Sequence, residues 1–351
     1  MTPTTMPSKK IGSAESPELP SPCGPLSAAV LEALRSNSAP RRSLGRAEPY
    51  GRDLQLALYC LYELHYRGFR GVEPEQEWDP TLLALRQELE RVFLTALRDD
   101  VPAGDDVEAE LQSLLVEPAD AWGITQYLRR DGQLWQLREY VAHRSLHHLK
   151  EADPQAWAIP RLSGPAKAAL VTIEHDEYGA GSPERMHSHL FAKMMRALGV
   201  DDRYGAYVDS APAETLAEVN LMSMCGLHRK LRGALLGQFA TIELTSSPGS
   251  DRLVQAMRRL DCTPEAIDFY SEHIEADAVH EQLVRRGVLN PLLNAEPELA
   301  SDVVFGIRAS THLANKLETL LLECWTHNRH SLLTPVTMEC SNATCSSPPS
   351  L

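Results

Sequence analysis

The stretch SEHIEADAVHEQ places His273, Asp277 and His280 at positions i, i+4 and i+7. At about 100° per residue, a helix would bring the three side chains within roughly 60° of one another. Two imidazoles and a carboxylate on one stripe offer half of a metal site of the kind that bundles build from facing helices. The same stretch carries Glu272, Glu275 and Glu281, so an ordinary solvated, charged face is the competing reading. Three other segments supply further donors. Glu177 precedes the run Gly179-Ala180-Gly181-Ser182-Pro183 and His187 follows it. Glu151 ends LHHLKE, and Glu243 sits among Phe239, Ala240, Ile242 and Leu244. A carboxylate on so apolar a face is costly unless it is paired or bound to metal. Bland alternatives exist for both: Glu151 as a solvated acid, Glu243 as the partner of an arginine. Isolated histidines such as His228 and His312 read as structural or exposed.

Helices must carry these groups. Leu54, Leu58, Leu61 and Leu64 form one apolar face from Arg52 onward. Asp79-Pro80 opens a second helix with Leu82, Leu85, Leu89, Val92, Phe93 and Leu97 on its inner side. Further helices are expected over about Leu134 to Glu151, from Ser163-Gly164-Pro165 to Gly179, from Pro183 to Leu198 and from Pro212 to Leu244. Two more follow, from Thr263-Pro264 to near Gly287 and from Glu298 to Trp325. No alternating strand pattern and no internal repeat is present. The fold class is therefore all-α. Residues 1–47, rich in Pro, Ser and charge, read as a disordered arm. Residues 48–118 read as an N-terminal helical extension, 119–331 as the bundle that holds the donors and 332–351 as a loose tail.

A chain of 351 residues, 43% of them hydrophobic, has the material for a sizeable core. The net charge of -14, with no basic run, argues against a nucleic-acid partner. No segment approaches the roughly 20 uncharged apolar residues that span a bilayer, so no membrane role is expected. The first residues lack the apolar core of a signal peptide, which leads to the expectation of a cytoplasmic protein. Seven scattered cysteines then read as free thiols.

With these residues in view, the chain resembles the heme-oxygenase-like diiron oxidases, the iron-containing redox enzymes. LYELHYRGF, HLKEADPQAWAIPR, DEYGAGSPERMH, NLMSMCGLHRKLRGALLGQFATIELTSS and HIEADAVHEQ carry the resemblance, over about Pro49 to Trp325. It implies a seven-helix-type bundle with an N-terminal helical extension. It also implies a ligand set of Glu151, Glu177, His187, Glu243, His273, Asp277 and His280, each of which holds a competent side chain here. Four carboxylates and three imidazoles without thiolate suit iron or manganese, and four negative charges balance two divalent ions. Glu63 and His65 fall outside the set and read as structural. His147 and His148 read at most as neighbours that orient a ligand.

The resemblance implies two Fe(II) per chain, O2 as co-substrate, and electrons from an external or substrate-derived donor. The expected substrate is a small, polar, amine-containing or amino-acid-derived molecule. The alternative is a heme- or small-molecule-binding module on the same scaffold, which would have no use for four core carboxylates. A hydrolase would want an activated cysteine, and neither Cys225 nor Cys262 has an evident base nearby. The extension from Pro49 to about Leu115 is a candidate homodimer surface, although its Leu-rich faces fit packing on the bundle equally well.

Overall fold

A computed structural model describes residues 16–38, 47–118 and 121–336. Among the described residues there is no strand, and the all-α class holds. The N-terminal helices are α1 (Pro25–Ser36), α2 (Arg52–Glu63), α3 (Pro80–Asp100) and α4 (Val107–Leu115). The bundle follows with α5 (Ile124–Arg130), α6 (Leu134–His148), the single turn α7 (Asp153–Ala156), α8 (Gly164–Glu177) and α9 (His187–Ala197). It closes with α10 (Ala213–Leu227), α11 (Arg232–Arg259), α12 (Pro264–Gln282), α13 (Asn290–Ala295) and α14 (Ala300–Thr326). No described helix is long and apolar enough to cross a membrane.

The long helix α11 is the spine. It packs on α14 along one side and on α12 along another. Glycines set the first of these crossings. A Cβ on Gly237 would lie 2.0 Å from the Val303 carbonyl oxygen, and one on Gly306 would lie 2.0 Å from that of Ala234. The two backbones therefore touch, and the register of α11 against α14 is fixed there. The expected helix from Pro212 to Leu244 is two helices. The chain turns at His228, whose extended backbone (φ -99°, ψ 112°) ends α10. α11 then runs on to Arg259 through Pro248, which forgoes one helical hydrogen bond.

Two sequence expectations need correction. The arm from residue 1 to 47 is not wholly disordered, because α1 lies inside it. Leu26, Val30, Leu31 and Leu34 make a buried stripe on α1, which packs on α2. The Asp53 carboxylate of α2 caps it, accepting from the backbone N–H of Leu26 and Ser27 at 2.9 and 2.7 Å. Residues 1–15 and 39–46 lie outside the described part, so the expectation for them stands where it was. At the other end, the tail does not begin at 332. Leu332 is buried and the Leu333 N–H donates to the Ser210 carbonyl at 2.9 Å. Glu139 pins this segment from inside the bundle, accepting from the Trp325 indole and from the Ser331 N–H and hydroxyl. Residues 337–351 are again outside the description. The leucine faces of the N-terminal extension take the second of their two expected roles, packing within the chain. Leu82, Leu85, Leu89, Phe93 and Leu97 of α3 are buried in the common core, and α2 is buried from Leu54 to Glu63 against α10 and α1.

Candidate metal centre

Glu151 sits in the turn that follows α6, because the helix expected to run to Glu151 ends at His148. That turn is held from below by a buried ion pair. Lys150 Nζ lies 3.1 Å from Glu63 Oε2, and the Tyr204 hydroxyl donates to both Glu63 oxygens at 2.8 and 2.9 Å. Glu63 is thus structural, as its position outside the ligand set implied, and it acts on the residue next to Glu151. Ala152 takes φ 75°, which swings the chain away and leaves the Glu151 carboxylate facing inward. His148 lies one turn back on α6, with Nδ1 2.7 Å from Glu151 Oε1. It orients the carboxylate, and its own ring is wedged against Phe191 and Phe269.

Glu177 is the last residue of α8, and His187 is the first of α9. The helix expected to resume at Pro183 resumes four residues later, after two short 3-10 turns. Gly179 has φ 78°, and a Cβ there would meet the Met186 nitrogen at 2.6 Å. The chain therefore doubles back on itself, and His187 Nδ1 comes to 2.7 Å from Glu177 Oε2. On α12 the expected stripe forms. His273 donates its Nδ1–H to the Phe269 carbonyl at 2.8 Å, which leaves Nε2 free to face Glu151 at 3.8 Å. One face on, His280 Nδ1 lies 3.3 Å from both Glu177 Oε1 and Glu243 Oε2.

These donors fall into two groups that share one residue. Glu151, Glu177, His187 and His273 bring ligand atoms within 4.8 Å of one another, and so do Glu177, Glu243 and His280. Glu177 stands between them. Asp277 belongs to neither set at that distance, but its Oδ1 is 3.7 Å from His280 Nδ1 and its Oδ2 is buried without a partner. So six of the seven expected residues converge directly, and the seventh stands beside them. A third group, His147 with His148 and Glu151, reuses a carboxylate of the first.

The donor set can be tested for fit to a metal pair. Glu151 Oε2, Glu177 Oε2, His187 Nδ1, Glu243 Oε2, Asp277 Oδ2 and His280 Nδ1 are all buried without a hydrogen-bond partner. The approaches of Glu177 to His187 and His280 are short, yet misdirected for hydrogen bonds. Each orphaned buried polar atom costs roughly 1–3 kcal/mol. Six of them aimed at one region is the arrangement of groups that share a cation. The protonation pattern agrees. Burial alone would push the His280 imidazolium down, but Glu177 and Glu243 outweigh it and hold it up at about 11. His273 behaves likewise, up at about 10 despite burial because Glu151 faces it. Burial pushes Glu177 up, and His187 and His280 override this and bring it to about 2. The carboxylates of this floor thus call for positive charge beside them.

Sequence reasoning missed two contributors. Asp176 stands at the surface with Oδ2 3.4 Å from His280 Nε2, where a carboxylate fixes the ring and its tautomer. Glu174 is buried one turn before Glu177, with neither carboxylate oxygen partnered. In the sequence both are single acids within TIEHDEYG, and only the α8 register separates them from solvated neighbours. Cys225 and Cys262 offer no activated nucleophile. Burial pushes the Cys225 thiol up to about 12 and raises Cys262 as well, the reverse of an activated nucleophile.

A cavity of about 510 Å³ opens onto the donors. Glu151, Glu177, Glu243, His273 and Asp277 line its floor. Tyr140, Arg144, Glu218 and Tyr270 line the wall, and residues 121–126 stand at the mouth. Arg144 Nη1 lies 3.1 Å from Glu218 Oε2, while Arg144 Nε and the Tyr270 hydroxyl are buried without partners. Tyr140 is close enough to raise the Tyr270 pKa further, after burial, but is not in hydrogen-bond geometry with it.

Residues 138–315 match the family model described as iron-containing redox enzyme, just over half of the chain. All seven candidate ligands lie within that span. The chain is also 24% identical over 160 residues to a nitrosourea synthase of Streptomyces achromogenes subsp. streptozoticus. That similarity covers 45% of this chain and 34% of the relative, so the chain matches about a third of that longer protein. The all-helical fold, the buried carboxylate–imidazole floor and the family match agree, and the chain belongs to the family of iron-containing redox enzymes.

Proposed function

We propose that the protein is a non-heme diiron oxidase or oxygenase that acts on a small, polar, amine-containing or amino-acid-derived metabolite. The observation that carries this reading is the sharing of Glu177 between two donor groups, each with its own carboxylate and imidazole. Glu151, His187 and His273 would hold one iron, Glu243, Asp277 and His280 the other, with Glu177 between them. Two Fe(II) ions held in this way would supply the electrons with which O2 is activated toward a substrate bond.

The residues of the chain supply the rest. His148 keeps the Glu151 carboxylate turned inward. Burial of the floor strengthens every electrostatic interaction there and excludes bulk water. The wall selects the substrate. Arg144 Nε and the Tyr270 hydroxyl are open donors that suit a carboxylate or carbonyl oxygen, and Glu218 beside them suits an ammonium group. Arg144 and Glu218 already neutralise each other, so a net-neutral head group with both signs adds no unbalanced buried charge. That supports an amino-acid-like molecule over a fatty acid or a flat macrocycle.

The test is O2 uptake by protein loaded anaerobically with Fe(II), against a panel of L-amino acids and the matching amines and carboxylic acids. Iron-dependent uptake accelerated by an amino acid, and lowered at least about tenfold in a Glu243→Ala variant, is the expected result. Uptake that is the same in Glu243→Ala, or that no panel member accelerates, would overturn the reading.

A further inference from the structure

Glu151 differs from the other six candidate ligands in its backbone. They stand on helices, whereas Glu151 stands in the turn between α6 and α7. Helical hydrogen bonds do not fix its place, and its own N–H reaches the His148 carbonyl only at 3.4 Å. A carboxylate on so short a turn keeps its direction only if the residues on either side are held. Ala152, with φ 75°, fixes the exit from the turn. The entry is fixed by the end of α2 and the residues that follow it.

Two contacts from there meet consecutive residues of the turn. Arg67 Nη2 donates to the Leu149 carbonyl at 3.1 Å. Glu63, the last residue of α2, pairs with Lys150 Nζ at 3.1 Å. The two contacts are tied together. The Arg67 N–H donates to Glu63 Oε1 at 3.3 Å, and the Arg67 guanidinium lies 3.9 Å from the centre of the Tyr204 ring, whose hydroxyl donates to Glu63. Lys150 is buried, with Nζ 4.2 Å from the centre of the Tyr66 ring. A buried ion pair adds little net stability over an apolar pair of similar volume, so its use lies in the one arrangement it permits. That arrangement leaves Glu151 facing His273, with Oε2 buried and unpartnered. Glu63 and Arg67 lie outside residues 138–315, the part matched by the family model, so the N-terminal helices of this chain supply the contacts.

We infer that Arg67, with the Glu63–Lys150 pair, is a positioning clamp for the first metal: it holds the turn from Leu149 to Glu151 so that the Glu151 carboxylate meets Glu177, His187 and His273. This rests on the diiron reading. None of the three clamp residues lines the substrate cavity, so the effect falls on metal affinity rather than on substrate selection.

The experiment is anaerobic Co(II) titration read by visible absorption. The parent is the Glu243→Ala chain, which keeps only the first position. Into it go Arg67→Met and, separately, Glu63→Gln together with Lys150→Met. Each breaks the clamp on its own, so if far-UV circular dichroism shows one to be unfolded, the other decides. Each is expected to bind Co(II) at least about tenfold more weakly than the parent, and Arg67→Lys, which keeps a cation to donate to the Leu149 carbonyl, to stay within about threefold of it. With Glu243 present, Arg67→Met should still hold one ion as tightly as wild type and show an altered Co(II) spectrum for the other. Unchanged binding in both clamp variants, with only a lower melting temperature, would mean that the contacts merely stabilise the fold and would overturn the inference. Equal weakening of both ions in Arg67→Met with Glu243 present would also overturn it, because the effect would not be confined to the Glu151 position. Wild-type protein that binds fewer than two ions would sink the diiron reading itself, a result seen before any clamp variant is made.

Discussion

At the scale of single residues, the floor separates the proposed ligands from the groups that aim them. Among the described residues Glu243 pairs with His280 rather than with an arginine, and burial with Asp277 and Glu177 pushes its carboxyl up to about 8. Glu243→Ala should therefore take the second ion away while leaving the helix content intact. Metal stoichiometry and circular dichroism on one sample check both halves. His148→Ala should be milder, because the Glu151 carboxylate survives and only its orienting contact is lost; a drop of about 10–100-fold in first-site affinity is expected without loss of the ion at saturating iron. A His148→Ala protein as iron-free as Glu243→Ala would show that His148 is itself a ligand. The α12 stripe was legible in the sequence because three donors at i, i+4 and i+7 leave one helical face to occupy. Glu243 stood out only by its apolar neighbours Phe239, Ala240, Ile242 and Leu244, while Glu151, Glu177 and His187 rested on the resemblance, because nothing local sets their ligating role apart from a solvated one. Glu174 and Asp176 were not legible: only the direction in which α8 turns them separates them from ordinary surface acids.

At the scale of elements, the break between α8 and α9 brings together two donors ten residues apart in sequence. Its geometry depends on residues with positive φ. Gly179 has no room for a Cβ, since one would press on the Met186 nitrogen at 2.6 Å. Gly179→Ala should displace His187 and weaken the first ion, and titration with Fe(II) reads that directly. Ala180, by contrast, holds φ 51° with a side chain it does not need. Ala180→Gly should be neutral or stabilising by up to about 1 kcal/mol, as seen in thermal unfolding. With Glu177 and His187 at its two ends, this segment should gain protection from hydrogen exchange when iron binds; equal protection with and without iron would contradict its coupling to the site. The proline and glycines announced this break, but not that the chain would need two short turns before α9 could start. The division of the expected helix at His228 was hidden for a related reason. Apolar periodicity runs through the sequence there, and only one residue with extended backbone changes direction.

At the scale of the whole molecule, the centre is positioned by the crossing of α11 with α14 and by the packing of α12 against α11. Gly237→Ala would drive a methyl group into the Val303 carbonyl and should cost about 1–3 kcal/mol or more. Chemical denaturation of the metal-free protein measures this, and an unchanged midpoint would mean that the helices part easily. The C-terminal segment is held by His143, whose Nδ1 and Nε2 lie 2.7 Å from the Thr215 hydroxyl and 3.0 Å from the Ser331 hydroxyl. Burial, with Arg144 adding to it, lowers the pKa of His143 to about 3. Its unfolded value is about 6.5, so below that pH the unfolded chain takes a proton that the folded chain refuses. The stability from this group is full above about pH 6.5 and is lost as pH falls toward 3, by about 1.4 kcal/mol per unit. The difference in unfolding free energy between wild type and His143→Gln should shrink over that interval; a pH-independent difference would contradict the assignment. The fold class was legible from periodicity alone. The order inside the N-terminal arm was not, because α1 is a single short stripe whose cap, Asp53, lies on another helix.

The central claim is that one carboxylate serves two metal positions, and the metal content of Glu177→Ala against wild type tests it most directly. After anaerobic Fe(II) loading and desalting, wild type should retain two irons per chain. Glu177→Ala should lose affinity at both positions while keeping its helix content. A wild type that holds one iron or none, or a Glu177→Ala protein that still holds two tightly, would contradict the account.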